Sequence, residues 1–166
     1  MTPTLEQLSA LFTVDVSGGR MFWKHPPKHH PRLRGKEAGG VRPNHAGKKY
    51  WVIKIGKVAH KRARLIFLVA RGHLPTPCVD HINGDSLDDR IVNLREATVL
   101  QNAWNHKRRK RGSSLPMGVR TVTNSSRYQA RLAVNGKMIH LGCFDSVEQA
   151  ATVYRQAREK HYGEFA

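Results

Sequence analysis

The chain has 166 residues, which suits one ordinary domain or two small ones, and its 29 Lys and Arg against 12 Asp and Glu give a net charge of +17. Such an excess attracts polyanions, whose phosphates release counterions on binding, so nucleic acid is the leading partner class. The longest strictly apolar stretch, Leu65 to Ala70, is far short of the roughly 20 residues a membrane span needs, no secretory signal is visible, and Cys78 and Cys143 form no Cys-x-x-Cys pair, which excludes a zinc ribbon and argues against a disulfide framework.

Thr4 to Phe12 carries apolar residues at helical spacing behind a Thr that suits an N-cap. Ser17-Gly18-Gly19 reads as a turn and Arg20 to Lys24 as a short strand. Residues 25–49 are rich in Pro, His, Gly and Lys and are expected to be loops. Tyr50 to Ile55 and Val58 to His60 flank Gly56-Lys57 and predict a β-hairpin. A helix is predicted from His60 to Arg71, ended by Gly72, with Pro75 and Pro77 preventing its resumption; His60 is then structural. Val79 to Ile82 and Ile91 to Arg95 read as two short strands around a loop at Asn83-Gly84-Asp85. Thr98 with Gln101 fits a capping box opening a helix to about Arg109, and Gly112 to Ser114 reads as a hinge. Three strands follow at Gly118 to Val122, Tyr128 to Val134 and Lys137 to Leu141, the last two joined by the hairpin signal Asn135-Gly136. Ser146 caps a final helix to about Lys160.

The charge is uneven. Residues 1–75 carry 15 basic and 3 acidic groups, residues 76–105 carry 2 basic and 5 acidic, and residues 106–112 carry 5 basic and none acidic. Within the acidic island lie Asp80-His81-Ile82-Asn83-Gly84-Asp85, then Asn93-Leu94-Arg95, then Gln101-Asn102-Ala103-Trp104-Asn105. This constellation, with 12 residues from His81 to Asn93 and 9 more to Asn102, resembles the HNH endonuclease motif, most closely that of phage and intron-encoded homing endonucleases. The resemblance implies a ββα-metal (His-Me finger) core and hydrolysis of a DNA phosphodiester. His81 is then the general base, since an imidazole takes a proton near neutral pH. A divalent ion stabilises the leaving oxyanion and prefers oxygen ligands. Mg2+ is the expected ion, with Mn2+ as the substitute and no structural zinc. Its ligands are the Asp80 carboxylate and the Asn102 amide oxygen, and Asn105 and His106, one helical turn away, are the alternates. Asn93 ties down the connecting loop and helps orient His81. Arg95 contacts the scissile phosphate or forms a structural ion pair. Asp85, Asp88 and Asp89 read as solvated loop acids, Asp85 with a conformational role after the Asn-Gly turn.

Lys107, Arg108, Arg109, Lys110 and Arg111 form a cationic run expected to continue the helix or to lie along phosphates. Beyond it, Gly118-Val119-Arg120, Arg127 to Leu132, Leu141 to Asp145, Glu148 to Ala151 and Tyr154 resemble the Apetala-type DNA-binding domain of plant ethylene-response factors. That resemblance implies a three-stranded sheet entering the major groove with a helix packed behind it. Alternation points Arg127, Gln129 and Arg131 one way and Tyr128, Ala130 and Leu132 the other. Arg can read guanine and Gln adenine, and Arg120, Lys137 and His140 are expected to join them. The plant domain has Trp where Tyr128 stands and usually Glu where Arg131 stands, so its base contacts do not transfer.

The expected architecture is α+β: a mixed region over 1–59 that contacts DNA, a nuclease core over 60–109, a basic hinge over 110–116 and a sheet-plus-helix DNA-binding domain over 117–166. The expected protein is a monomeric or weakly dimeric cytoplasmic enzyme, phage-encoded or bacterial, acting on double-stranded DNA without a membrane. The rival readings are a non-catalytic DNA-binding regulator and a restriction nuclease with the same chemistry.

Overall fold

The structure, a computed structural model, describes residues 2–105 and 114–166. The cationic run Lys107 to Arg111, His106, the helix end near Arg109 and most of the expected hinge lie outside the described residues. The chain divides into two compact units, Met1–Asn102 and Ala103–Ala166.

The first unit opens with α1 (Leu5–Leu11), whose Thr4 hydroxyl accepts from the Gln7 amide while the Gln7 side chain accepts from the Thr4 amide. Two pairs of short strands follow: β1 (Phe12–Asp15) with β2 (Arg20–Trp23), and β3 (Gly40–Pro43) with β4 (Lys49–Ile55), the latter extended by β5 (Val58–Lys61). Helix α2 (Arg62–Arg71) comes next and ends at Gly72, which takes a left-handed conformation with φ of 80°. It is the centre of the unit. Its Leu65, Ile66, Phe67 and Leu68 pack in one cluster with Leu8, Phe12, Met21, Trp23, Ile53 and Leu94. Finally β6 (Cys78–His81) pairs antiparallel with β7 (Leu94–Ala97), and α3 (Val99–Asn105) follows.

Three expectations change. His60 lies within β5, which runs to Lys61, and the helix starts at Arg62, because the hairpin register pairs His60 with Ile53 and Lys61 with Val52. Residues 25–49 are not all loop: a one-turn 3-10 helix spans Pro31–Leu33, and Gly40–Pro43 forms the edge strand β3. Ile91–Asn93 is a 3-10 turn and the strand begins only at Leu94.

The turn at Ser17-Gly18-Gly19 supports the later site. Gly19 has a φ of +70°, and a Cβ there would sit 2.5 Å from the Arg90 amide nitrogen. Only glycine lets this turn approach the 89–90 backbone so closely. The Ile91 amide donates to the Val16 carbonyl across the same contact at 3.2 Å.

The second unit holds an antiparallel sheet in the order β10 (Lys137–Phe144), β9 (Tyr128–Val134), β8 (Val119–Thr121), with α4 (Val147–Tyr162) packed on one face. Ser146 caps α4 by accepting from the Gln149 amide. Val119, Ala130, Leu132, Ala150, Tyr154, Tyr162 and Phe165 are buried. Trp104 stacks flat on Tyr162 with centroids 4.3 Å apart, and the Tyr162 hydroxyl donates to the Ala133 carbonyl. Gly118 has a φ of +78°, and a Cβ there would lie 2.0 Å from the Tyr154 ring. Gly118→Ala is therefore expected to destabilise this unit by more than ~2 kcal/mol, through backbone strain plus a clash with a buried ring. Gly136→Ala, at the same φ but in open space, should cost only the strain, about 1 kcal/mol. Thermal unfolding of the two variants checks this; equal losses would mean the Tyr154 contact does not matter.

Candidate active site

Alternation along β6 sets Cys78 and Asp80 on one side and Val79 and His81 on the other. Across the pair, Asp80 stands opposite Arg95 and His81 opposite Leu94. Asp80 is buried, and its Oδ2 accepts from Arg95 Nε at 3.0 Å and Nη2 at 2.9 Å. Arg95 thus forms an ion pair with Asp80. It offsets part of the cost of burying the carboxylate by keeping a counter-charge against it.

Asn93 is buried where the 3-10 turn meets β7. Its Oδ1 accepts from the Asn83 amide at 3.0 Å, and its Nδ2 donates to Asn83 Oδ1 at 3.1 Å and to the Asp88 carbonyl at 2.8 Å. One side chain thus clasps both ends of the loop between β6 and the turn. Within the loop, Asn83 Oδ1 accepts from the Asp85 amide and Asp85 Oδ1 from the Leu87 amide. These are Asx turns, a conformational use of both residues. Ser86, buried, donates its hydroxyl to the Lys49 carbonyl at 2.6 Å and ties the loop to β4.

Helix α3 begins with the reciprocal Thr98–Gln101 bonds at 2.8 and 3.1 Å, which fix where Asn102 falls. The Asn102 Nδ2 lies 3.8 Å from Cys78 Sγ. Since Cys78 and Asp80 are two residues apart on one strand, the helix brings Asn102 to the Asp80 side of β6. The amide's nitrogen faces the sulfur, so its carbonyl oxygen points elsewhere. Among the described residues no group of three or more His, Cys, Asp or Glu is placed to hold a metal. One carboxylate and one amide oxygen suit instead a hard divalent ion that keeps most of its waters. Asn105 ends α3.

The loop acids correct the sequence reading. Asp89 is not solvated: it is 2% exposed, with Oδ1 accepting from His81 Nε2 at 3.0 Å and Oδ2 accepting from Arg62 Nε at 2.8 Å. Arg62 in turn donates from Nη1 to Glu37 at 2.7 Å and lies over the Trp51 ring at 4.2 Å. The missed signal was Arg62 itself, a cation at the first position of a largely apolar helix, which cannot be buried without an acid. Asp88 is also engaged. Its carboxylate accepts from Arg90 Nε and Nη2, both at 2.7 Å, and from Asn83 Nδ2 at 2.9 Å.

The Arg90 hydrogen bonds hold the Asp88 carboxyl at about 2, below its ordinary 3.8. A carboxyl depressed in the folded state stabilises fully above its unfolded value and loses that contribution as pH falls through the folded one. The loop's tie is therefore expected to persist down to pH 4 and to fail between pH 4 and about 2. A carboxyl-carbon NMR titration checks this, and a midpoint near 4 would mean the Arg90 pair is not formed in solution.

The exposed face of the second unit's sheet carries the expected base-reading residues. Register sets Arg120 opposite Gln129 and Gln129 opposite Cys143, with Arg131 opposite His140. Gln129 Nε2 donates to His140 Nδ1 at 2.9 Å. Arg127 pairs with Asp145 at 2.9 Å and donates to the Cys143 carbonyl. Lys137 departs from the expected face: it stands opposite Val134, on the pleat that also points Leu132 and Ile139 toward α4. In the first unit, the outward pleat of β3–β5 carries Arg42, Tyr50, Lys54 and Lys61, with the Lys61 ammonium 4.0 Å above the Tyr50 ring. Partial burial and the nearby charges of Lys48 and Arg64 push the Lys61 amine down.

The HNH endonuclease family matches residues 60–104, the span that contains β6, the clasped loop, β7 and nearly all of α3. The chain therefore carries an HNH endonuclease domain. It belongs to the family of protein 3.8 of Escherichia phage T7, to which it is 32% identical over 109 residues, covering 65% of this chain and 89% of that protein. It is also 36% identical over 100 residues, 60% of its length, to the Uncharacterized HNH endonuclease L560 of Acanthamoeba polyphaga mimivirus, and spans 51% of that longer protein. No solved structure matches the chain. Among the described residues no helix is long and apolar enough to cross a membrane.

Proposed function

We propose that this chain is a metal-dependent endonuclease of the homing type, hydrolysing phosphodiesters of double-stranded DNA at a specific site. The observation that carries the reading is the meeting of three elements at β6: adjacent Asp80 and His81 on the strand, Asn93 locking the loop behind them, and Asn102 delivered by α3 to the Asp80 side. A relative named as an HNH endonuclease supports it.

His81 is the general base that takes the proton of the attacking water. Asp80 and Asn102 would hold a divalent ion, Mg2+ or Mn2+, which when bound stabilises negative charge on the leaving oxygen. Arg95 keeps the Asp80 carboxylate oriented. Asn93 acts at one remove, by fixing the loop that follows His81. Arg120, Arg127, Gln129, Arg131 and His140 supply base and phosphate contacts from the second unit, with Lys107 to Arg111 as further phosphate ligands. The outward pleat of β3–β5 adds a sequence-independent hold: among the described residues Arg42, Lys54 and Lys61 make no ion pair, and unpaired cations gathered on one pleat suit phosphates. One set of catalytic residues per chain implies nicking, or two successive cuts.

The test is conversion of supercoiled plasmid carrying the DNA that flanks the protein's own gene. Cleavage with Mg2+ that stops on adding EDTA is expected. Cleavage undiminished by EDTA, or none with any divalent ion, would overturn the reading.

A further inference from the structure

We propose that Asp89 is the positioning residue for His81, and that it does so as the middle of a buried chain running from Glu37 through Arg62 to the imidazole. This rests on reading His81 as the base. The geometry is specific. The two oxygens of one carboxylate are divided between two donors, His81 Nε2 at 3.0 Å and Arg62 Nε at 2.8 Å. The three side chains are 6%, 2% and 3% exposed for His81, Asp89 and Arg62. Arg62 is held in its turn by Glu37 at 2.7 Å and by the face of Trp51. The groups come from the loop before β3, the start of α2, β6 and the segment before the 3-10 turn, so four separate pieces of chain fix one ring.

Burying an arginine and a carboxylate is costly, and well-packed apolar side chains of similar volume would generally stabilise as well or better. What the ionic chain adds is direction. An ionised carboxylate can only accept, so the His81 nitrogen it faces must be the donor. A neutral imidazole with its hydrogen on Nε2 has its lone pair on Nδ1. Asp89 therefore selects both the tautomer and the rotation of the ring. Arg62 keeps Asp89 from turning away, and Gly19, pressed against the Arg90 amide, keeps the 89–90 backbone in place.

The experiment uses the full chain with 15N-labelled histidine. In the wild type the His81 nitrogens should report hydrogen on Nε2. In Asp89→Ala they should report a mixture of tautomers, while single-turnover cleavage at saturating DNA falls about 10- to 100-fold and DNA affinity changes by less than about twofold. The paired variant Arg62→Met with Asp89→Asn keeps an oxygen acceptor for Nε2 without the buried charges. It should recover the Nε2 tautomer and most of the turnover, and it stands in if Asp89→Ala does not fold. Hydrogen on Nδ1 in the wild type, or wild-type turnover in folded Asp89→Ala, would overturn the proposal. The tautomer measurement needs no cleavage, so it judges Asp89 even if His81→Ala were to show that His81 is not the base.

Discussion

Replacing His81 with alanine is expected to lower the rate of divalent-ion-dependent cleavage by about 10²- to 10⁴-fold, the range a positioned general base contributes. DNA affinity should stay within about twofold, because phosphate contacts from surface cations dominate binding and His81 is buried. The fold should survive as well. The loop behind His81 is closed by Asn93, Asn83 and Ser86, none of which bonds the imidazole. The cost to stability arises instead at Asp89, which loses one of its two charged or polar partners but keeps Arg62. A variant that is folded, binds DNA and does not cut separates chemistry from recognition. Equal cleavage by the two proteins would remove His81 from the mechanism.

Arg62→Ala should have the largest effect on stability of any single change in the first unit. Its guanidinium links Glu37 to Asp89 and lies over Trp51. Removing it leaves the Asp89 carboxylate buried with only His81 against it. Breaking a buried pair in this way costs about 3–5 kcal/mol. For a chain of this size that is a fall in the melting temperature of roughly 10 °C or more. Asp89→Asn added to Arg62→Met should restore much of the loss, since it removes the stranded charge. A melting curve of Arg62→Ala that matches the wild type would show that Asp89 reaches water.

Local pattern revealed whatever depends on near neighbours. Thr98 and Gln101 announced the start of α3 because a capping box is closed within four residues. The strand Tyr128 to Val134 was legible because Ala130 and Leu132 are buried on one side while Arg131 is exposed on the other, so alternation survives in the sequence. The loop-closing part of Asn93 was legible because the motif fixes its spacing. What failed depended on distant partners. β3 follows Gly39, begins at Gly40 and ends at Pro43, and it is a strand only because β4 supplies its hydrogen bonds. Asp89 stands in the run Asp-Asp-Arg, which reads as a wet loop. Its burial is decided by Arg62, 27 residues earlier, and no local signal encodes that contact. His60, read both as the end of the hairpin and as the start of the helix, belongs to the strand because its hairpin partner Ile53 determines its state. Lys137 was assigned to the polar face by type, whereas the register of the Asn135-Gly136 hairpin turns it to the opposite pleat.

In the proposed mechanism Asp80 and Asn102 share one divalent ion on the Asp80 side of β6. Crystals grown with Mn2+ and measured at its absorption edge test this directly. The expected result is a single strong anomalous peak at about 2.1–2.2 Å from an Asp80 carboxylate oxygen and from Asn102 Oδ1, and its loss in Asp80→Asn. A peak bound elsewhere, or none, would contradict it.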